Sequence, residues 1–112
     1  AGAADFDGDG LLDIAYVETP HLGKTLIIVS LKDGELQRIA EAPGYTNHRI
    51  GDSGIWGGVR ECADGPEIIL ADSRWQYLVA ARLNNGNIES RNLTELTSFQ
   101  DFEHAMDCQR NP

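Results

Sequence analysis

Asp5-Phe6-Asp7-Gly8-Asp9-Gly10-Leu11-Leu12-Asp13-Ile14-Ala15 is the stretch that decides how this chain is read. Asp5, Asp7, Asp9 and Asp13 fall at positions 1, 3, 5 and 9 of a loop, and Gly10 falls at position 6, where the backbone has to turn sharply. Side chains two apart on an extended, curling backbone point toward one centre. Position 7 of such a loop offers a backbone carbonyl, here that of Leu11. Carboxylates packed this closely repel each other unless a cation sits among them. An all-oxygen donor set selects a hard cation, and a flexible loop rich in carboxylates suits Ca2+ better than octahedral Mg2+. The spacing therefore predicts a calcium site built from Asp5, Asp7, Asp9, Asp13 and the Leu11 carbonyl.

The residues C-terminal to the loop narrow its kind. A helix-flanked EF-hand loop needs a carboxylate at position 12, and this chain has Tyr16 there. Asp13-Ile14-Ala15-Tyr16-Val17-Glu18 is β-branched and aromatic, ends at Thr19-Pro20, and predicts a strand rather than a helix. The run from Asp5 to Ala15 closely resembles the FG-GAP/VCBS repeat, the calcium-loop blade of integrin-α-type β-propellers. The resemblance implies a loop between the first and second strands of a four-stranded blade. It also implies a bacterial protein of the periplasm or the extracellular space.

The rest of the chain reads as two rounds of one pattern. Thr25-Leu26-Ile27-Ile28-Val29-Ser30-Leu31 predicts a strand buried on both faces, Lys32-Asp33-Gly34 a hairpin turn, and Glu35-Leu36-Gln37-Arg38-Ile39-Ala40 an outer strand with one wet face. Ile68-Ile69-Leu70-Ala71-Asp72 stands at an offset of 54 from Ile14–Glu18. Leu78-Val79-Ala80-Ala81 and Asn84-Asn85-Gly86 stand at an offset of 52 from Leu26–Val29 and Lys32–Gly34. The loss of two residues falls between the second and third strands, where a shorter turn is expected. Units of this length suit a propeller blade.

In the second unit Arg60-Glu61-Cys62-Ala63-Asp64-Gly65-Pro66-Glu67 is expected in place of the acidic loop, with Arg60 and Cys62 standing where Asp5 and Asp7 would be and one residue missing. A cation there would meet Arg60, so one metal site is expected, not two, and Cys62 becomes the candidate for a covalent fastener. Ile55-Trp56-Gly57-Gly58-Val59-Arg60 predicts the innermost strand of this unit, its glycines allowing close backbone approach. Tyr45-Thr46-Asn47-His48-Arg49 reads as a connecting turn. Ser98 to Met106 predicts a short helix capped by Ser98, with Phe99, Phe102 and Met106 on the face that packs against the second sheet.

Composition is that expected of a soluble globular protein. The chain has 112 residues, 41% hydrophobic and 24% charged, and a net charge of −9 that argues against nucleic acid and anionic membrane as partners. No apolar run is long enough for a membrane span. The opening Ala1-Gly2-Ala3-Ala4 carries no Met and no signal core, so the expectation is a processed protein or the C-terminal part of a larger secreted one. Cys62 and Cys108 lack any zinc spacing and are expected to form a disulfide, worth about 4 kcal/mol in the chain-entropy model and suited to an oxidising compartment. Gly51-Asp52-Ser53-Gly54 matches the tetrapeptide around the nucleophile of trypsin-like proteases, but His21 and His48 lie in no partner motif and the chain is too short for that double barrel. Trp56 and Trp75 are expected to pack between the two units rather than to anchor a partner.

The expected fold is all-β: two antiparallel β-propeller-like blades, a partial propeller, with a short C-terminal helical segment. It forms a single domain, with blade one over 1–44, blade two over 51–93 and a tail over 94–112. The expected function is a non-catalytic, calcium-binding structural or interaction module, with no catalytic residue and Ca2+ as its one cofactor. A protein or carbohydrate partner, or self-association through exposed sheet edges, fits this reading. An accessory or catalytic part of a secreted hydrolase is the alternative.

Overall fold

The computed structural model describes residues 2–18, 24–47, 58–62, 65–98 and 100–107. These form strands β1 (Gly2–Ala4), β2 (Asp13–Glu18), β3 (Thr25–Lys32), β4 (Glu35–Pro43), β5 (Tyr45–Thr46), β6 (Gly58–Cys62), β7 (Gly65–Asp72), β8 (Tyr77–Asn84) and β9 (Asn87–Glu95), followed by helix α1 (Gln100–Ala105). All strand pairs given by the ladders are antiparallel. The first sheet runs β1-β2-β3-β4. The second runs β5-β7-β8-β9, with β6 also on β7. Since Ile68 and Ile69 pair with β6 on one side and β8 on the other, β6 occupies the edge of β7 that corresponds to β1 on β2.

The two sheets repeat each other in register. Ile14 pairs with Val29, and Ile68 pairs with Ala81; the pairs Ala15–Ile28, Tyr16–Ile27 and Val17–Leu26 recur as Ile69–Ala80, Leu70–Val79 and Ala71–Leu78. Both hairpins close on two residues with positive φ, Asp33 (52°) with Gly34 (78°) and Asn85 (52°) with Gly86 (82°). That is the type I′ geometry, whose twist matches the flanking strands. The pairing with each outer strand also carries one register shift, between Ile28 and Val29 in the first sheet and between Leu78 and Val79 in the second.

The main core lies between the sheets. Ala15, Leu26 and Ile28 of the first sheet meet Ile68, Leu70, Val79 and Ala81 of the second, with Ala4 and Phe6 closing one end. Each large aliphatic side chain fully buried here contributes about 1.5–3 kcal/mol relative to exposure. A second cluster forms on the far side of the second sheet, where Phe102 and Ala105 of α1 cover Ile69, Ala71, Leu78 and Ala80.

The structure corrects several local expectations. Tyr45-Thr46 is not only a turn: it pairs with Ala71 and Asp72 as the short strand β5. The glycine that requires close approach is Gly2, where a Cβ would lie 2.8 Å from Val59 Cγ2; at Gly58 a Cβ would make ordinary contact, 3.5 Å from Met106 Cε. The helix forms over Gln100–Ala105 and packs on the second sheet as expected, with the Ser98 carbonyl accepting from the Asp101 amide (3.1 Å) and Asp101 Oδ2 reaching back to accept from the amides of Thr97 (2.8 Å) and Ser98 (3.1 Å), the return contact of a capping box. Those amide bonds hold the Asp101 carboxyl below its ordinary value. Trp75 stands edge-on to Phe102 (centroids 6.3 Å apart) beside the helix, not between the sheets. Phe99, Trp56 and Cys108 lie outside the described residues. Cys62 is disulfide-bonded.

Candidate metal centre

Residues 5–12 connect β1 to β2, and their anchors are set by packing. Phe6 is buried in the core between the sheets, while Asp13 opens β2 with its side chain on the face that also carries Ala15. Asp13 pairs with Ala4 on one side and Ser30 on the other. The loop is thereby pinned at both ends, and its middle turns outward through Gly8 (φ 74°) and Gly10 (φ 86°). Gly10 has open space around it, so the need for glycine there is conformational, as its loop position predicts.

The four expected carboxylates come together: one ligand atom from each of Asp5, Asp7, Asp9 and Asp13 lies within 4.8 Å of the others. Backbone amides of the loop organise them. Asp5 accepts from the Asp9 amide (3.1 Å) and the Gly10 amide (2.9 Å), Asp7 from the Asp9 amide (3.2 Å), and Asp9 from the Leu11 amide (2.8 Å). Asp13 Oδ2 accepts from the Phe6 amide (3.0 Å). Leu11 thus contributes its N–H to the internal bonding of the loop, in addition to the carbonyl that its position predicts as a ligand.

Asp13 is the member that sets this loop apart from a solvated acidic turn. Its side chain is 0% exposed, its Oδ1 has no hydrogen-bond partner, and no ion pair among the described residues reaches it. A buried carboxylate with an unsatisfied oxygen is costly unless a cation or donor meets it. Ser30 Oγ, on the residue directly across the ladder, is likewise buried without a partner. Burial pushes the Asp7 carboxyl up, with Asp9 and Asp13 adding to it. The Leu11 amide holds Asp9 below its ordinary value, helped by Asp7, Lys32 and Asp5. Lys32 Nζ stands 4.0 Å from Asp7 Oδ2 and 3.9 Å from Asp9 Oδ2, at the rim of the cluster.

In the second sheet the same position carries a carboxylate paired with guanidinium groups. Arg60 pairs with Glu67 where Ala4 pairs with Asp13, so Glu67 is the counterpart of Asp13 and Arg60 that of Ala4, not of Asp5. Sequence spacing misplaces Arg60 because residues 61–66 replace residues 5–12, a connection shorter by two rather than one. Arg60 Nη2 donates to Glu67 Oε1 (2.9 Å), Arg91 Nη1 donates to Glu67 Oε2, and Arg60 Nη1 donates to the Ala105 carbonyl of α1 (2.6 Å). Burial pushes Glu67 up, but the hydrogen bonds and charges of Arg91 and Arg60 outweigh it and hold the carboxyl below its ordinary value. Sequence reading misses this triad: the 54-residue offset already aligns Glu67 with Asp13, but Arg91 reaches it only across the sheet.

No catalytic constellation accompanies the cluster in the described residues. His21, His48 and Ser53 lie outside them, and His104 is an exposed residue of α1, a helix far too short to cross a membrane. Comparison of the chain with protein-family models, with curated proteins and with solved structures finds no match.

Proposed function

We propose that the chain is a non-catalytic, calcium-stabilised structural or interaction module, with Asp5, Asp7, Asp9, Asp13 and the Leu11 carbonyl as ligands to one Ca2+. The observation that carries this reading is Asp13, a fully buried carboxylate with an unpartnered oxygen at the base of a four-carboxylate cluster. The contrast with Glu67 supports it. At the same register, one sheet neutralises its buried carboxylate with two guanidinium groups, while the other surrounds it with further carboxylates. A hard divalent cation supplies what the first sheet lacks, and oxygen donors in a flexible loop favour calcium. Bound there, the ion ties β1 to β2 much as Arg60 and Arg91 tie β6 and β9 to β7. Its role is that of a clasp.

The finer architecture in this proposal is that of two FG-GAP/VCBS-like propeller blades. The four-strand meander order of each unit, the acidic loop between the first two strands, and the repeated registers support it. An extracytoplasmic address follows from the same reading, because millimolar calcium and a disulfide-bonded Cys62 suit an oxidising compartment. A protein or carbohydrate is the expected class of partner.

Thermal unfolding with calcium and with chelator tests the reading. A ligand that binds only the folded state raises stability with its concentration. The wild-type protein should melt higher in calcium, and Asp7→Ala should lose most of that difference. Equal melting curves for the wild type in both conditions would rule the calcium clasp out.

A further inference from the structure

The face of the first sheet that packs into the core carries one residue out of keeping with its neighbours. Side chains alternate across a strand, so Ser30 of β3 lies on the same face as Leu26 and Ile28. It pairs directly with Asp13 of β2, and Asp13 pairs on its other side with Ala4 of β1. Ser30 and Asp13 are both 0% exposed. Among the described residues, Ser30 Oγ and Asp13 Oδ1 are the two buried side-chain atoms that lack a hydrogen-bond partner. An unpaired buried hydroxyl opposes folding, and an alanine at this position would avoid that cost.

The two oxygens of Asp13 differ in what they meet. Oδ2 accepts from the Phe6 amide (3.0 Å) and lies 3.4 Å from the Asp7 amide, which fastens the loop to β2. Oδ1 has no such donor. A directly opposed antiparallel pair holds its Cβ atoms about 4.5–5.5 Å apart, and a serine hydroxyl rotates to suit its surroundings, so Ser30 is placed to serve the facing carboxylate. The second sheet differs at this point. The pair Ile14–Val29 recurs as Ile68–Ala81, so the position of Ser30 falls on Arg82, which is exposed and pairs with Glu89 of β9. There the buried carboxylate, Glu67, takes its donors from Arg60 and Arg91 instead. The buried serine accompanies the buried carboxylate in the sheet that carries the acidic loop and not in the other.

We infer that Ser30 is a positioning residue of the metal centre: its hydroxyl donates to Asp13 Oδ1 when the ion is bound and holds that carboxylate in the orientation the ion requires. This rests on the calcium clasp proposed above and adds to it a residue from outside the loop. Carboxylates that ligate a metal are themselves hydrogen-bonded, and the groups that orient them govern affinity along with the ligands. A neutral donor suits this place. It partners the carboxylate without bringing a positive charge that competes with the ion, as a guanidinium would. Through Ser30 the clasp reaches β3 as well as β1 and β2.

The test compares wild type, Ser30→Ala and Ser30→Thr by calorimetric titration with CaCl2 and by thermal unfolding in chelator. Ser30→Ala should bind calcium about tenfold or more weakly, the loss expected when a group that orients a ligand is removed. In chelator it should melt at or above the wild-type temperature, because it removes an unpaired buried hydroxyl. Ser30→Thr keeps the hydroxyl and should bind calcium within about threefold of wild type. A packing role alone would lower the melting temperature of Ser30→Ala in chelator and leave its calcium affinity in place, which would overturn the inference. So would a Ser30→Thr protein, folded in chelator, that binds as weakly as Ser30→Ala. Equal calcium affinity of Ser30→Ala and wild type removes the role of Ser30 and leaves the clasp standing. Absence of calcium binding by the wild type removes the clasp itself, and the inference with it.

Discussion

Asp13→Asn separates a calcium clasp from an ordinary structural carboxylate by the sign of its effect. In chelator the wild-type protein holds a fully buried carboxylate whose Oδ1 meets no donor, and an amide there removes the charge while keeping an oxygen for the Phe6 amide. Removing an unmatched buried charge should leave the chelated protein as stable as wild type or raise it by about 1 kcal/mol. In calcium the order should reverse. A site with Kd of about 0.1 mM, in the range of extracellular modules, gains about 2.7 kcal/mol at about 10 mM calcium. For a domain of this size that is a shift of about 10 °C in Tm. Differential scanning calorimetry in calcium and in chelator should therefore show the wild type moving by that amount and Asp13→Asn moving by less than about 2 °C. If Asp13→Asn is instead destabilised in chelator by about 2 kcal/mol and keeps the full calcium shift, Asp13 serves the fold through its own hydrogen bonds and the reasoning fails.

Lys32 sits at the rim of the cluster as the only cation within ion-pair distance of it among the described residues, and it opposes an incoming ion. Lys32→Gln should tighten calcium binding by about two- to threefold, with the effect shrinking as salt is added; unchanged affinity at low salt would show that the side chain simply swings clear. Arg60→Met removes a guanidinium that is almost fully buried and that bonds both Glu67 and the Ala105 carbonyl. The loss should be about 3–5 kcal/mol, with α1 becoming an early site of proteolysis, while the calcium-dependent part of the stability stays the same because the two sites are independent. Glu67 gives a pH signature. Its folded-state pKa lies below its ordinary 4.5, so its contribution is present above that value and is lost as pH falls through the folded pKa. Wild type and Glu67→Gln, compared in chelator by chemical denaturation, should differ most near neutral pH and converge in acid; a constant gap would mean that Glu67 matters by shape alone.

The strands are legible in the sequence because their causes are local. The apolar run of Leu26–Val29 and the turn pairs Asp33-Gly34 and Asn85-Gly86 carry their own geometry, and the sheets obey them; Glu35–Ala40 also pairs as the outer strand, but its alternation does not become one wet face, since Glu35 to Arg38 are all exposed. The carboxylate cluster of the loop is legible for the same reason: Asp5, Asp7, Asp9 and Asp13 are placed by spacing, and the structure gathers them. The hidden features depend on contacts between distant residues. Nothing in Asp13 itself distinguishes a fully buried carboxylate from its exposed neighbours, since its burial comes from Ala4, Phe6 and Ser30 closing around it. Spacing sets Arg60 opposite the wrong residue because a hairpin two residues shorter leaves no local mark. The choice of face by each sheet is equally hidden, because both faces of Leu26–Val29 are apolar and only packing says which one meets the neighbour. Tyr45-Thr46 lacks the length to signal a strand and owes its pairing to the waiting edge of β7.

The central claim is that the buried Asp13 carboxylate and its three companions exist to hold one calcium ion. Isothermal titration calorimetry of the chelator-stripped protein with CaCl2, and with MgCl2 for comparison, measures this directly. One ion per chain, with a Kd of about 0.1 mM or tighter and clearly weaker binding of magnesium, is the expected result. No saturable heat with calcium at millimolar concentration, or equal binding of both ions, would contradict it.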